Sequence, residues 1–281
     1  GELTSGGSIV ANSTTNNATF NVLDATNSVT VTGAAAVSVR AIISGADANL
    51  TGASVSISNG NNGNVGTNLT VNATAGNITG NGTVAVGQAI DLDATGNVSH
   101  FGSLDTTNGP ITVDAGGNIS ITANSGDTID LTAGGTVAGG NLAATNATTV
   151  NANDIFTSSI QSGDVAFTSA SDIIFSGITS TGSVTLNAAN GSISASRGNG
   201  DITSDGDITL TTQSFAIGDL VSGGNIAATI TASDVTFGVL DAVGDVTLAG
   251  TGNVTIAGST IAQNGLSITA GGLLDIQGYA S

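Results

Sequence analysis

Short runs of alternating apolar and polar residues, returning at a nearly constant interval, constrain the fold of this chain more than any other feature. In the segment Gly244–Gly272, the runs Val246–Leu248, Val254–Ile256 and Leu266–Ile268 each place a polar residue between two apolar ones. This period of two indicates β-strands with one buried face. Gly, Asn or Asp flanks each run and marks a bend. The first run returns after 20 positions, which predicts one turn of a β-solenoid.

The same interval can be followed along the whole chain. A first inward residue recurs at steps of about 18 to 21, a second strand follows, and a third apolar point, such as Val84, Leu240 or Ile261, closes many turns. Three parallel strands per turn predict an all-β, three-sided β-solenoid of about 14 turns of about 20 residues. The first inward residues are Ile9, Val29, Ala48, Leu69, Ile90, Ile111, Ile129, Thr148, Val165, Val184, Ile208, Ile226, Val246 and Leu266.

One step is longer than the others. Between Val184 and Ile208 the extra residues fall in the segment Ala195–Asp205, which contains Arg197. Insertions in repeat proteins usually form loops on one side of the structure. We therefore predict a surface loop here.

The composition favours one repetitive body over residues 1–281. The chain has 42 Gly, a single Pro, no Cys and no Met, and its apolar runs are rich in Val, Ile and Thr. It contains no apolar run long enough to cross a bilayer as a helix. The repeats reach both ends, so we expect the chain to be a piece of a longer protein.

The charge argues against several classes of partner. Two Arg against 20 acidic residues give a net charge of −18. A chain with so few cations is not expected to bind nucleic acid or an anionic membrane, because phosphate neutralisation needs several Lys or Arg.

The sequence also argues against an enzyme. Arg40, Arg197 and His100 fall in different turns, so we expect no catalytic or cofactor-binding residues to converge. Aromatic residues that would hold sugars are scarce, at 3% of the chain. A carbohydrate-active β-helix is kept as an alternative, because two carboxyls at a suitable separation could hydrolyse glycosidic bonds. A groove with converging Asp side chains would favour it.

Four aspartates form a candidate acidic patch. Asp91 and Asp93 point outward on one predicted strand, Asp114 falls in the column of Asp93 one turn later, and Asp130 falls in the column of Asp91 one turn further. Stacked like charges repel. Ca²⁺, which takes clustered oxygen ligands, would relieve the repulsion. The other interpretation is a solvated, screened face, and a calcium titration of the melting temperature separates the two.

Polar residues at two other recurring positions allow functional and structural interpretations. Outward pairs such as Thr209 and Thr211 resemble the Thr ladders of ice-binding solenoids, but the columns are interrupted, as at Asp91, Asn72 and Ala166, so a flat repeating lattice is not expected. β-Propensity and stacking between turns also explain the Thr residues. Asn-X-Ser/Thr sequences such as Asn77–Thr79 could accept glycans. A simpler reading is that Asn occupies the bend, X points inward and Ser or Thr points outward.

The repeats GDVTLAGTGNVTIAGST, GGNISITANSGDTIDLTAGG and GSVTLNAANGSISAS resemble those of filamentous haemagglutinin-like adhesins over essentially the whole chain. These large exoproteins leave Gram-negative bacteria by two-partner secretion. The N-terminal secretion domain of that family has no counterpart here. The resemblance implies a right-handed β-helix at the bacterial cell surface or in the extracellular matrix, acting as a stalk, adhesin or filament. The implied partners are a host or neighbouring-cell surface, or other copies joined end to end.

Overall fold

The chain folds into parallel strands that stack as a β-solenoid. A computed structural model describes residues 1–58, 63–196 and 200–278, and no helix occurs among them. The predicted fold class is confirmed, with about 13 turns of about 20 residues. The chain divides into two compact units, Gly1–Thr145 and Asn146–Ser281. Right-handed winding and a single-domain organisation stay predictions.

Short strands separated by bends build the first unit. Its strands are β1 (Glu2–Ser5), β2 (Ile9–Ser13), β3 (Ala18–Ala25), β4 (Val29–Gly33), β5 (Ala36–Ser44), β6 (Ala48–Gly52), β7 (Ser54–Ser58), β8 (Gly63–Val65), β9 (Leu69–Ala73), β10 (Ile78–Asn81), β11 (Thr83–Val86), β12 (Ile90–Ala94), β13 (Val98–Thr106), β14 (Ile111–Ala115) and β15 (Ile119–Ala133).

The second unit repeats the pattern. The strand β16 (Thr136–Ala152) includes the division between the units, and after it come β17 (Asp154–Phe156), β18 (Ser159–Ser162), β19 (Asp164–Ser169), β20 (Ile173–Phe175), β21 (Gly177–Ser180), β22 (Val184–Ala195), β23 (Ile202–Ser204), β24 (Ile208–Ala216), β25 (Leu220–Ser222), β26 (Ile226–Ile230), β27 (Val235–Phe237), β28 (Leu240–Ala242), β29 (Val246–Gly250), β30 (Val254–Ile256), β31 (Thr260–Ala262), β32 (Leu266–Ala270) and β33 (Leu274–Ile276).

Each turn contributes a strand to each of three faces. The first face begins at the first inward residues predicted above, and the second and third faces follow in chain order. On the first face, Ile90 of β12 pairs in parallel with Leu69 of β9 and with Ile111 of β14. Longer strands such as β13 pass through a bend and contribute to two faces. Apart from the register shifts between Ser99 and Phe101 and between Ala188 and Ser192, the pairing places each inward residue above its equivalent one turn earlier.

The core of each unit consists of these stacked inward side chains. Val71, Leu92 and Val113 are fully buried on the first face of the first unit, and Phe167 and Phe175 are fully buried in the second. Burying one such side chain contributes about 1.5–3 kcal/mol. One turn alone cannot shield its apolar edge, so the stability of each unit comes from stacking neighbouring turns.

The predicted inward positions are buried with two exceptions, Leu266 and Ile261, and Leu266, on the last first-face strand, is 40% exposed although it keeps its register with Val246. Ile261 was assigned to the core of the third face, but 38% of it is exposed, and Thr260 is the fully buried residue. The reason is the register, because Leu240 pairs with Thr260, and Asp241 pairs with Ile261. The local choice of the more apolar residue was therefore wrong by one position.

The long step is confirmed on the described residues. Phe175 pairs with Ala195, 20 positions later, whereas Ile178 pairs with Ile202, 24 positions later. The extra residues therefore lie between Ala195 and Ile202. Arg197 and the two residues after it lie outside the described residues.

A hydrogen-bonded ladder of Asn and Asp side chains lines many bends. The residue just before an inward residue accepts, through Oδ1, the backbone N–H of the equivalent residue one turn later. Asn77 Oδ1 accepts from Asn97 N at 2.8 Å, Asn97 Oδ1 accepts from Asn118 N at 2.7 Å, and Asn118 Oδ1 accepts from Thr136 N at 2.8 Å. Asp207, Asn225 and Asp245 form an equivalent series in the second unit. These bonds satisfy backbone donors that leave the strand ladder at the bend.

The residue before each donor determines the length of this hydrogen bond. At eleven such bends that residue is Gly, and the N···O distance is 2.6–2.9 Å. At four others it is Ala35, Thr67, Gln88 or Ser171, and the distance is 3.1–3.5 Å. A Cβ at Gly96, Gly117 or Gly135 would overlap the Oδ1 of the Asn one turn earlier. Glycine is therefore required here by close approach.

This geometry predicts a coupling between Asn97 and Gly117. Gly117→Ala should destabilise the first unit, because the new Cβ overlaps Asn97 Oδ1, and Asn97→Ala should destabilise it by removing the acceptor of Asn118 N. The double variant should lose less than the sum, with a coupling of about 0.5–3 kcal/mol. Thermal or denaturant unfolding of all four proteins measures the cycle. Strict additivity would contradict the clash.

Buried hydroxyl groups occupy inward positions at the ends of strands. Ser44 Oγ donates to Asn27 O at 2.7 Å, and Ser222 Oγ donates to Gly206 O at 2.7 Å. These hydroxyl groups donate hydrogen bonds to backbone carbonyl groups that have left the strand ladder because the chain bends there. Three buried polar side chains among the described residues differ, because Asn124, Thr157 and Thr260 have side-chain polar atoms with no hydrogen-bond partner.

The same substitution is therefore expected to have opposite effects on the free energy of unfolding at two fully buried threonines. Thr212 Oγ1 lies within hydrogen-bond distance of two backbone acceptors for its single proton, Gly191 O at 2.8 Å and Ser214 O at 2.7 Å, whereas Thr260 Oγ1 has no partner. Thr260→Val should raise the free energy of unfolding by about 1 kcal/mol, and Thr212→Val should lower it by about 1 kcal/mol. Denaturant midpoints of the two variants check the sign. Equal shifts would show that the hydrogen bonds of Thr212 do not stabilise the unit.

Candidate functional site

The four predicted acidic residues lie on consecutive strands of the first unit. Asp93 on β12 pairs directly with Asp114 on β14. Asp91 pairs with Thr112, which in turn pairs with Asp130 on β15. The predicted columns are thus confirmed. Thr112, which separates Asp91 from Asp130 in their column, was not part of the predicted patch. All four aspartates are exposed.

Electrostatic repulsion acts within this acidic patch. Desolvation by neighbouring side chains raises the pKa of Asp91, and the carboxylates of Asp114 and Asp93 raise it further. Desolvation also raises the pKa of Asp130, and Asp114 adds to the effect. Asp114 therefore acts on both of its diagonal neighbours. Above the raised pKa values, the folded state carries charges that destabilise it.

The patch does not form a recognisable metal centre. In the ranges that the structure describes, no group of three or more His, Cys, Asp or Glu side chains is arranged to hold a metal ion. The calcium hypothesis for Asp91, Asp93, Asp114 and Asp130 stays a prediction, and no step below depends on it.

Asp114→Asn should stabilise the first unit at neutral pH by about 0.2–1 kcal/mol, because it removes a repulsion between exposed charges. A raised pKa means that the folded state binds more protons than the unfolded chain. Stability from Asp91 and Asp130 therefore rises as pH falls through their pKa values. The advantage of Asp114→Asn should shrink in acid and in high salt.

Asp24→Asn is the matched control for this variant, because Thr4 and Ile43, the register partners of Asp24, are uncharged. Melting temperatures across pH measure both variants. A gain for Asp24→Asn equal to that for Asp114→Asn would show that the effect is not local to the acidic patch.

Of the three cationic side chains considered in the sequence, the structure describes that of Arg40. Arg40 is exposed on β5. His100 is on β13. On the second face, the strands β7 and β10 lie between β5 and β13. The side chain of His100 and the whole of Arg197 lie outside the described residues.

A groove on the second face of the first unit was not predicted. Its lining includes Gly80, Asn81, Gly82 and the edge of Phe101. The ring of Phe101 lies over Gly80, where a Cβ would overlap it, and Gly82 has φ of +87°. The register shifts between Ser99 and Phe101, so the strand bulges there. The only sequence signal was the Gly-Asn-Gly triplet that interrupts the alternation.

Carboxylates do not converge in this groove or in a second one. The lining of the first groove contains no acidic residue. A groove in the second unit, lined in part by Gln161, Thr179 and Thr203, contains Asp201 as its acidic residue. Neither lining supplies the pair of carboxyls that glycoside hydrolysis needs.

The bends account for the glycosylation-like sequences. In Asn77–Thr79 and Asn253–Thr255, the Asn lies in the bend, the middle residue is buried and the last residue faces outward. The Asn side chain also accepts a hydrogen bond from the next turn. The structural interpretation of the sequons is confirmed for these positions, whereas glycan attachment stays a prediction.

Comparison of the chain with protein-family models, curated proteins and solved structures gave no match. The resemblance to filamentous haemagglutinin-like repeats therefore stays an expectation from the sequence. Among the described residues, no helix has the length and apolarity needed to cross a membrane.

Proposed function

We propose that this chain is a structural and adhesive segment of a bacterial surface or extracellular β-helical protein, and that it is not an enzyme. One observation carries the proposal: outward side chains stack in columns that continue from turn to turn in each unit. In the first unit, for example, Val10, Thr30 and Asn49 are successive members of one column. Such columns present many similar groups side by side, which favours distributed contacts over a single pocket.

The construction of the turns supports a load-bearing role. Parallel strand pairing joins each turn to the next along all three faces, and the bends add Oδ1-to-backbone hydrogen bonds. Because adjacent turns supply most of the stabilising contacts, turns can be added or removed without changing the design. The extracellular location rests on the resemblance of the repeats to those of secreted adhesins.

A deletion in register tests the structural part of this proposal. Removal of residues 69–89 joins Asn68 to Ile90, which is the register partner of Leu69. The shortened chain should keep its β-sheet circular dichroism and its resistance to protease. Removal of residues 69–79 should abolish both, because the inward side chains of the following turns then lose their partners. Equal damage from the two deletions would contradict modular stacking.

The same three proteins test adhesion when they are coupled to beads. Beads with the wild-type chain should adhere to bacterial or host cells, and beads with the in-register deletion should adhere nearly as well. Beads with the out-of-register deletion should not adhere. Failure of the folded wild-type chain to bind would overturn the adhesive role, and release of reducing ends from polysaccharides would favour the enzyme alternative.

A further inference from the structure

The first face of the second unit is a regular, two-dimensional array of outward side chains. Seven strands contribute two outward residues each, and on all of them except the last, β32, these residues alternate with buried ones. The register is unbroken at these positions. One column contains Thr149, Ala166, Thr185, Thr209, Ala227, Thr247 and Ser267, and the other contains Asn151, Thr168, Asn187, Thr211, Thr229, Ala249 and Thr269. We call these fourteen residues the threonine face.

The threonine face carries no charge, although the chain as a whole has a net charge of −18. Eight of its fourteen residues are Thr, and each of the seven strands contributes at least one. The matching face of the first unit carries Asp91, Asp93, Asp114 and Asp130 instead. The acidic interruption at Asp91 therefore belongs to the first unit, whereas Ala166 interrupts a column of the threonine face itself.

Strand pairing and buried side chains beneath the threonine face hold its outward residues in place. Neighbouring strands are about 4.8 Å apart, and outward residues on one strand are about 6.7 Å apart. Val150, Leu186 and Leu210 lie between the outward residues and are buried. Thr itself is branched at Cβ and has little rotamer freedom to lose on binding. The outward positions thus repeat at fixed spacing in two directions, and nine of the fourteen carry a hydroxyl group.

The chemistry of the threonine face limits the classes of ligand that it can bind. It has no charge to attract an ion and no aromatic ring on which a sugar could stack, and small molecules generally need a concave pocket. A surface that repeats in two directions suits a ligand that is itself a lattice. Near the middle of the array, Asn187 Oδ1 is shielded from solvent and has no hydrogen-bond partner in the protein.

We propose that the threonine face binds the surface of ice, with its hydroxyl groups continuing the hydrogen-bond lattice of the outermost water layer. The methyl groups between them fill the spaces of that lattice. This activity goes beyond the structural role proposed above and does not depend on it. The chain could stack its turns and adhere to cells with or without it.

Partition into growing ice tests the proposal directly. The full chain, labelled at its N-terminal amine, should be concentrated in an ice hemisphere grown slowly from dilute solution, and it should produce thermal hysteresis. Thr209→Tyr, in the middle of the face, should reduce incorporation several-fold. Thr203→Tyr is the matched control, because Thr203 is equally exposed in the same unit but lies on the third face.

Circular dichroism and melting temperature must show that both variants are folded as the wild type is. Exclusion of the wild-type chain from ice would overturn the proposal, and so would equal loss in the two variants. Retention on cellulose or chitin without incorporation into ice would assign the face to a crystalline polysaccharide. A dimer in solution that Thr209→Tyr abolishes would assign it to a second copy.

Discussion

The hydrogen bond from a backbone N–H at a bend to an Asn or Asp side chain one turn earlier constrains much of this molecule. Strands satisfy their own backbone groups by pairing, but a bend removes donors from that ladder, and a buried unpaired donor is costly. The bend at Asn97 solves this locally by accepting from Asn118 N and donating to Asn77 Oδ1. The acceptor needs space on the next turn, and only Gly leaves enough for a bond below 3 Å. The abundance of Gly follows from this contact as well as from turn conformation.

The same constraint decides where the charges lie. In the second unit, eight of eleven Asp residues directly precede the first inward residue of a strand, as Asp207 precedes Ile208. The first unit uses Asn at several equivalent bends and places more of its Asp on strands, as in the acidic patch. One face of the second unit is neutral as a result, whereas the same face of the first unit repels itself around Asp114. Two units with one architecture thus expose different chemistry.

Much of the fold could be predicted from the sequence because alternation and repeat length report strand pairing directly. The first-face register was predictable throughout, from Ile9 to Leu266, since each of those positions begins an alternating run. Thr260 was not predictable, because a local pattern favours the more apolar Ile261, and only stacking on Leu240 decides between them. The buried Asn124 and the bulge beside Phe101 were missed for the same reason: both depend on the neighbouring turns.

The surface chemistry was harder to predict than the fold, because one residue type serves two purposes. An Asp in a bend is first a hydrogen-bond acceptor for the next turn, and an Asn followed by an apolar residue and Thr is first a bend. Net charge and sequon count therefore overstate what the faces present to a ligand. Once the bends are set aside, Asp91, Asp93, Asp114 and Asp130 remain on one unit and a neutral threonine array remains on the other. These outward columns, rather than the overall composition, are the features on which binding should depend.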